Sequence, residues 1–356
     1  MSFNFHVISG LLLGVSFGFI LQRGRFCMNS AFMDTILIKD FTILKAIITS
    51  IIVQMIGFLI LVTSGIISSL NPRPFYVVSI MVGGLIFGIG MVLAGGCLSG
   101  TTYRIGEGMV GSIIAILGFF FIIILANIGV LTGITNFFNG LGQVTVIDSG
   151  PFVINNNPTL ANIFGINPWI LVVIIVVISI FFFTWKNKKL GEKVTIPKTS
   201  HKWSDNIFKK EWNWWVTGIA LGIVGILAYP FSAAAGQNDA ICLFCGWEGL
   251  SGFLMTGNIN QMNWLSFLVI GMIFGSVIAA TLADELKIRI PESKRLIQQF
   301  VGGVMLGFGA VLANGCNIGH IFSGIPQLAL SSIVMGVFIF LGAWIITYFM
   351  FIREKG

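Results

Sequence analysis

Cysteine is the residue type whose placement in this chain suggests a chemical role. All five cysteines lie in short stretches rich in glycine and small polar residues, and each stretch follows a long apolar run. The stretches are GRFCMNSAF with Cys27, GGCLSG with Cys97, NDAICLFCGW with Cys242 and Cys245, and NGCNIGH with Cys316. Cysteines that only fill space would fall mostly inside the apolar runs. The pattern therefore favours a functional role for Cys27, Cys97 and Cys316.

The surroundings of these cysteines restrict the chemistry that they could perform. Catalytic thiol chemistry needs a general base, and no base recurs beside each cysteine, so we expect no enzyme. A metal site needs thiolates, commonly with histidine partners, and of the three histidines only His320 lies near a cysteine. Copper or zinc transport is a minor alternative, and we expect no metal site and no cofactor. A neutral thiol is a weak, soft hydrogen-bond donor and acceptor, which suits a ligand with polarizable sulfur.

The elements that must position the cysteines are apolar helices. Hydrophobic residues make up 56% of the 356-residue chain and charged residues only 9%, against about 25% charged residues in a soluble domain. A helix of about 20 apolar residues spans the hydrocarbon core of a bilayer. The sequence predicts an all-α polytopic membrane protein with about nine transmembrane helices. The apolar runs lie at roughly 7–21, 43–67, 77–95, 109–132, 168–185, 213–230, 264–282, 298–314 and 328–351.

The basic residues predict the orientation of these helices, because short cytoplasmic loops hold most lysines and arginines. With the N-terminus outside and the C-terminus in the cytoplasm, 19 of the 20 basic residues fall on the cytoplasmic side, and only Arg73 falls outside. The net charge of +7 is then a topology signal, and we expect no nucleic-acid partner. The hydrophilic stretch 185–212 is interpreted as a solvated cytoplasmic connector.

Two segments of the chain are related to each other. Aligning 83–100 with 302–319 without a gap matches ten of eighteen residues, Cys97 with Cys316 among them. The predicted orientation gives the copies opposite directions in the membrane, so we expect two inverted repeats. Transporters built this way bind substrate near the midplane, at the repeat interface. The expected units are a first repeat at 1–133 (helices 1–4), a connection at 134–212 (outside loop, helix 5 and basic linker) and a second repeat at 213–356 (helices 6–9).

The cysteine-bearing stretches are too apolar and too tightly spaced for ordinary exposed loops. They are typical of re-entrant segments, whose irregular backbone is tolerated where it is buried in protein or lines a cavity. Backbone amides in glycine-rich turns can bind an anion. In the sequence no charge adjoins Cys316, so we expect Asn314 and His320, together with Asn317 and glycine amides, to supply donors there.

Two arginines lie near the other cysteines in the sequence. Arg25 precedes Cys27, and Arg104 follows Cys97. We interpret Arg104 as a residue that binds an anionic substrate and Arg25 as an accessory to it. Because loops near span ends are rich in arginine on the cytoplasmic side, both are equally well explained as ordinary topology signals.

Cys242 and Cys245 form a C-x-x-C motif that is predicted on the outer side. A redox pair, a labile disulfide and simple packing are all open for it. A zinc site is disfavoured, because no second pair of ligands accompanies the motif. We interpret the two residues as an accessory to the substrate site.

The motifs GRFCMNSAF, GGCLSGTTYRIGEG and NGCNIGHIFSG, on a chain with nine expected spans and inverted halves, resemble those of the YeeE/YedE family of bacterial thiosulfate transporters. The resemblance implies an hourglass-like importer in the bacterial inner membrane, with loops buried from both faces. It also implies that the three cysteines matching the family's motifs, Cys27, Cys97 and Cys316, pass thiosulfate along a central path by S–H hydrogen bonds. No role is carried over to Cys242 and Cys245.

Other functions compatible with the sequence are a channel or transporter for another sulfur or selenium compound, and a membrane thiol oxidoreductase that uses Cys242 and Cys245.

The expected partners are the lipid bilayer and the thiosulfate ion, and the cost of moving the ion across the membrane suggests a further one. Moving a dianion inward against ~100 mV costs about 4.6 kcal/mol. We therefore expect either ion coupling or a cytoplasmic sulfur-handling protein that consumes the product.

Overall fold

The computed structural model describes residues 3–146, 152–153, 156–189 and 208–353. Most of the hydrophilic connector, at 190–207, lies outside the described residues. Within them the chain is almost entirely helical, and the strands that are present are two residues long. This confirms the predicted all-α class.

The first half of the chain alternates long apolar helices with short ones. The long helices have the length that a bilayer crossing needs, and each short helix starts at a cysteine-bearing stretch. The elements are α1 (Phe3–Arg23), α2 (Met28–Leu37), α3 (Thr42–Thr63), α4 (Val77–Ala94), α5 (Leu98–Gly106) and α6 (Val110–Asn127).

The middle of the chain holds smaller elements and one long helix. Strand β1 (Phe75–Tyr76) pairs antiparallel with β2 (Gln143–Val144), so that Phe75 lies opposite Val144. The helices are α7 (Thr132–Gly140), α8 (Leu160–Phe164) and α9 (Pro168–Lys189).

The second half repeats the order of the first. Its elements are α10 (Trp214–Ala234), α11 (Leu243–Thr256), α12 (Trp264–Leu282), α13 (Ser293–Leu312), the π-helix (Ile318–Gly324) and α14 (Leu330–Thr347). Short turns of 3₁₀-helix lie at Ile259–Gln261 and Ile325–Gln327, and a π-helical turn at Tyr348–Ile352 follows α14.

Helices of one half pack mainly on helices of the other, and the contacts occur in matched pairs. Helix α1 packs on α12 as α10 packs on α3, α13 packs on α6 as α14 packs on α4, and α5 meets α12 as the π-helix meets α3. Helices α4 and α13 contact each other directly. The division into two repeats and their opposite orientation in the membrane stay predictions.

Glycine allows these helices to approach closely. A Cβ at Gly83 would lie 2.8 Å from the carbonyl oxygen of Gly309, and a Cβ at Gly309 would lie 2.6 Å from that of Gly83. At the α1–α12 contact, Gly14 and Gly18 face the backbone of α12 in the same way. Small residues are what permit such contacts between helices in lipid.

Eight helices of the described residues are long and apolar enough to cross a membrane. They correspond to eight of the nine expected spans, and two of them continue into the short helices α2 and α5. The remaining expected span corresponds to α9, which has 22 residues and whose apolar part runs over Pro168–Phe181. The chain is therefore a polytopic membrane protein.

Candidate functional site

Three of the four short helices in the two halves have a cysteine as the N-cap residue. Cys27 caps α2 with φ −141° and ψ 120°, Cys97 caps α5 with φ −73° and ψ 172°, and Cys242 caps α11 with φ −133° and ψ 98°. Extended backbone at this position is typical of an N-cap residue. Cys316 precedes the π-helix, and its carbonyl accepts the N–H of His320 at 2.9 Å. The stretches predicted as re-entrant loops are thus turns that lead directly into helices.

Cys27 and Cys97 form a contact pair. Their sulfur atoms lie 3.8 Å apart, and both side chains are fully buried. The sulfur of Cys97 also accepts the N–H of Gly100 at 3.3 Å and lies 3.2 Å from the hydroxyl of Ser99. A Cβ at Gly100 would lie 2.7 Å from the sulfur of Cys27. Glycine at this position is therefore what lets the two thiols meet.

Cys242 and Cys316 lie together at a second cluster. Cys242 forms a disulfide with Cys245, while Cys316 is a free, buried thiol that the backbone N–H groups of Gly319 and Phe244 face. A Cβ at Gly319 would lie 3.5 Å from the sulfur of Cys242. Cys242 is thus placed beside Gly319 as Cys27 is placed beside Gly100.

A possible metal site in this cluster is weakened by the disulfide. Asp239, Cys242 and Cys245 each place one potential ligand atom within 4.8 Å of the others. Both sulfur atoms are bonded to each other, whereas metal ligation by cysteine uses thiolates.

The two cysteine clusters are connected through the residues next to them rather than by direct contact between thiols. The amide of Asn317 donates to the sulfur of Met28 at 3.0 Å, and the rings of Phe26 and Phe322 meet edge to face at 5.6 Å. The side-chain oxygens of Asn29 and Asn317 are buried and have no hydrogen-bond partner among the described residues. Such atoms mark places where water or a polar ligand supplies the missing bond.

Arg104 braces the turn that carries Cys97. Its Nη1 donates to the carbonyl oxygen of Gly95 at 2.6 Å, and a Cβ at Gly96 would lie 3.3 Å from the same nitrogen. Gly95 has a φ of +74°, so the turn before the cysteine is left-handed. The charge of Arg104 acts on both Cys27 and Cys97, and its role in binding an anionic substrate stays a prediction.

Arg25 is engaged elsewhere. It lies within 3.2 Å of Glu107, 3.3 Å of Glu211 and 2.8 Å of Glu285. Arg23 is fully buried and is ion-paired with Glu285. We call Gln22, Arg23, Arg25, Glu107 and Glu285 the ionic cluster. With three carboxylates around it, Arg25 has little charge left to attract an anion.

The ionic cluster is tied together by one amide. The side chain of Gln22 donates to Glu285 at 2.7 Å and to Glu107 at 3.1 Å. Burial alone would raise the pKa of Glu285, but this hydrogen bond and the charges of Arg25 and Arg23 outweigh burial and lower its pKa. In the predicted orientation the cluster lies on the cytoplasmic side.

Asn314 and His320 shape the Cys316 turn rather than facing its thiol. Asn314 has a φ of +53°, its side chain is exposed, and its carbonyl oxygen accepts a hydrogen bond from Arg73 at 2.6 Å. The ring nitrogens of His320 lie 3.0 Å from the hydroxyl of Ser332 and 3.0 Å from the carbonyl oxygen of Ala313. Both nitrogens of His320 are therefore already used.

Arg73 is the residue at this site that the sequence reasoning missed. It comes from the segment between α3 and β1, yet its guanidinium contacts Asp239, the carbonyl of Asn314, and the sulfur of Cys245 at 4.0 Å. The sequence showed no charge adjoining Cys316, but the fold brings one there. A signal was present, since Arg73 is the one basic residue expected on the outer side.

A cleft of about 370 Å³ lies next to this cluster, and we call it the Glu248 cleft. It is lined by Pro74, which follows Arg73, by Asn314, and by Phe244 and Glu248 of α11. Burial raises the pKa of Glu248, while the charge of Arg73 acts in the opposite direction.

Comparison with known proteins places the chain in a family. A family model described as sulphur transport matches residues 23–345. The thiosulfate transporter TsuA of Spirochaeta thermophila is 36% identical over 351 residues, which cover 97% of this chain and 99% of that protein. The thiosulfate transporter TsuA of Escherichia coli is 32% identical over 350 residues, with 98% and 96% covered. The probable transporter YedE of Escherichia coli is 39% identical over 157 residues, covering 38% of this chain and 39% of that protein.

The family model and the two TsuA matches span nearly the whole chain, with the long helices and the cysteine turns. The chain belongs to the sulphur transport family of membrane proteins.

Proposed function

We propose that this protein imports thiosulfate across a bacterial inner membrane, with its N-terminus outside and its C-terminus in the cytoplasm. The observation that carries the proposal is the contact between the free thiols of Cys27 and Cys97 at the starts of two short helices. The relatives named as thiosulfate transporters supply the substrate, and the distribution of basic residues supplies the orientation.

The site has groups that suit each end of the thiosulfate ion. Its terminal sulfur is large and polarizable, and it can accept weak S–H hydrogen bonds from neutral thiols. Its three oxygens carry charge that an arginine or backbone amides can bind. Weak donors hold the ion without trapping it, which transport requires. Cys27 and Cys97 form one binding position of the route, and Cys316 forms another.

Transport along this route involves no covalent step. Each thiol remains protonated and only exchanges hydrogen bonds with the passing ion, so no general base is needed beside it. The protein is a transporter and not an enzyme in this proposal. Thiosulfate delivered to the cytoplasm is consumed there by a sulfur-handling protein, which keeps its internal concentration low.

Uptake of thiosulfate by cells that lack their own route tests the proposal. We expect Cys27→Ala, Cys97→Ala and Cys316→Ala to reduce the initial rate by about tenfold or more each, the effect of losing one hydrogen bond to a charged ligand. Ser64→Ala, at an exposed position after α3, is the matched control and should transport normally. Wild-type rates in any cysteine variant would remove that residue from the route, and no uptake by wild type would refute the function.

A membrane thiol oxidoreductase is the second candidate, since Cys242 and Cys245 form a disulfide. That function requires the disulfide to exchange electrons with a partner. The double variant Cys242→Ala/Cys245→Ala separates the two functions. We expect it to keep thiosulfate uptake, whereas an oxidoreductase would lose its activity.

A further inference from the structure

The turns that carry Cys97 and Cys316 are each held by an arginine, with the same geometry. Arg104 donates from Nη1 to the carbonyl oxygen of Gly95 at 2.6 Å, and Arg73 donates from Nη1 to the carbonyl oxygen of Asn314 at 2.6 Å. Gly95 and Asn314 each lie two residues before the cysteine, and both have positive φ, +74° and +53°. The two arginines hold equivalent positions at the two cysteine turns.

The arginines reach these positions from unrelated places in the chain. Arg104 belongs to α5, the helix that follows Cys97. Arg73 lies before β1 in the first half of the chain, whereas Cys316 is in the second half. The repeat alignment therefore does not relate them. A cation at each turn recurs although the residue that provides it does not, which indicates that the charge itself is needed there.

Arg73 has binding capacity that the protein does not use. Its side chain is only 11% exposed, and its Nε is buried without a hydrogen-bond partner among the described residues. A buried, unpaired N–H of a guanidinium is costly, so a ligand or water is expected against it. Two glycines make room for the guanidinium, because a Cβ at Gly315 or Gly319 would lie 3.1 Å or 3.0 Å from it.

The carboxylate of Asp239 is in direct contact with Arg73. Asp239 forms the ion pair with it, and its side chain is 16% exposed. The Glu248 cleft lies next to this pair, since its lining includes Pro74, which follows Arg73 in the chain, and Asn314, whose carbonyl oxygen Arg73 contacts. An anion in the cleft therefore lies beside the residues that flank Arg73, whose ion-pair partner Asp239 is a carboxylate at the edge of solvent.

We propose that Arg73, with the free thiol of Cys316 behind it, is the first binding site for the substrate dianion on the outer side, and that the dianion takes the place of Asp239 on the guanidinium. This rests on the proposed function. The oxygens of the ion bind Arg73, and its terminal sulfur then faces the Cys316 turn. Arg73 recognises the charge of the substrate, and the thiols recognise its terminal sulfur.

Initial uptake rates at a series of external thiosulfate concentrations test the site in whole cells. We expect Arg73→Gln to raise KM by about tenfold, the loss of one charge-assisted hydrogen bond, with a smaller change in the maximal rate. Arg73→Lys keeps the charge and should lie between wild type and Arg73→Gln. Arg289→Gln, which removes an exposed cation from the loop before α13, is the matched control with an unchanged KM.

Asp239→Asn should change KM in the opposite direction, and it leaves Arg73 itself unaltered. Freeing the guanidinium should lower KM several-fold, and Arg73→Gln/Asp239→Asn should lose that gain. If Arg73→Gln fails to reach the membrane, Asp239→Asn decides alone, and an unchanged or raised KM overturns the site. Normal wild-type uptake with KM in Arg73→Gln within about twofold of wild type overturns this site but leaves the transport function standing. Absence of uptake by wild type overturns both.

Discussion

Gly100 determines how closely the thiols of Cys27 and Cys97 approach each other. A Cβ there would lie 2.7 Å from one sulfur and 3.4 Å from the other, so a methyl group would push the pair apart. We expect Gly100→Ala to reduce thiosulfate uptake by about tenfold or more, because one binding position loses its geometry, while the protein still reaches the membrane.

The matched control for this change is Gly133→Ala in α7, where an added Cβ meets no atom within 4 Å. Its uptake should equal that of wild type. Wild-type uptake in Gly100→Ala would show that contact between the two thiols is not needed for transport.

Glu285 gives the ionic cluster a pH dependence. Its pKa is lowered in the folded protein, although burial opposes this, because Gln22, Arg25 and Arg23 favour the charged form. A lowered pKa contributes stability above the unfolded value of about 4.3, and the contribution is lost as the pH falls through the folded-state pKa.

We therefore expect Glu285→Gln to lower the thermal unfolding midpoint of the detergent-solubilised protein at neutral pH. The difference from wild type should shrink as the pH falls below the unfolded value of about 4.3 and through the lowered folded-state pKa. A difference that stays constant over the whole acid range in which the protein remains folded would mean that the charge of Glu285 does not stabilise the cluster.

At the scale of elements, the sequence predicted the long helices well and the short ones poorly. Hydropathy detects an apolar run of spanning length, which is why α3 and α12 match their predicted runs closely. Helices α2 and α5 are short and contain serine and threonine, and α5 also contains glycine, so they were interpreted as loops. The side chain of Cys97 caps α5, and both helices pack against long helices; a hydropathy pattern contains neither feature.

The site was predictable to the extent that it is local. Arg104 contacts the turn of Cys97, which it follows in the sequence, whereas the contact between Cys27 and Cys97 joins positions 70 residues apart and was not predicted. Arg73 was missed because its contact with the Cys316 turn joins positions 241 residues apart, and one sequence carries no record of such a contact. The disulfide of Cys242 and Cys245 was one of several open interpretations, since spacing alone does not reveal an oxidation state.

Close helix contacts at glycine predict where substitutions destabilise the fold. A Cβ at Gly303 of α13 would collide with the backbone of Ala115 in α6, and backbone cannot move aside cheaply. We expect Gly303→Ala to cost about 1–3 kcal/mol of stability, as overpacking does. Thermal unfolding in detergent measures this.

Gly336 of α14 provides the contrast, because its added Cβ would have its nearest neighbour at 3.6 Å. Gly336→Ala should be neutral or stabilising, since alanine favours helix over glycine by about 0.5–1 kcal/mol. Equal effects at Gly303 and Gly336 would show that helix propensity, and not close packing, governs both positions.

At the scale of the whole molecule, the substrate's charge limits transport. A dianion moved inward against ~100 mV costs about 4.6 kcal/mol, which corresponds to more than three decades of concentration. In vesicles without other ion gradients, we expect an imposed inside-positive potential to speed uptake and an inside-negative one to slow it.

Added proton or sodium gradients, or an internal reaction that traps thiosulfate, should restore uptake at the inside-negative potential. Each can be applied separately to the same vesicles. Uptake that ignores the potential, the gradients and trapping alike would mean that net charge does not cross with the substrate.

The interlocking of the two halves also bears on how the chain is made. Helix α1 is among the first elements to be synthesised, but its main partner, α12, begins at Trp264. The chain is synthesised at about 5–20 residues per second. The glycine face of α1 therefore remains without that partner for on the order of ten seconds or more. During this time lipid or an insertion factor must cover the exposed glycines. The membrane is therefore needed for the synthesis of this protein as well as for transport.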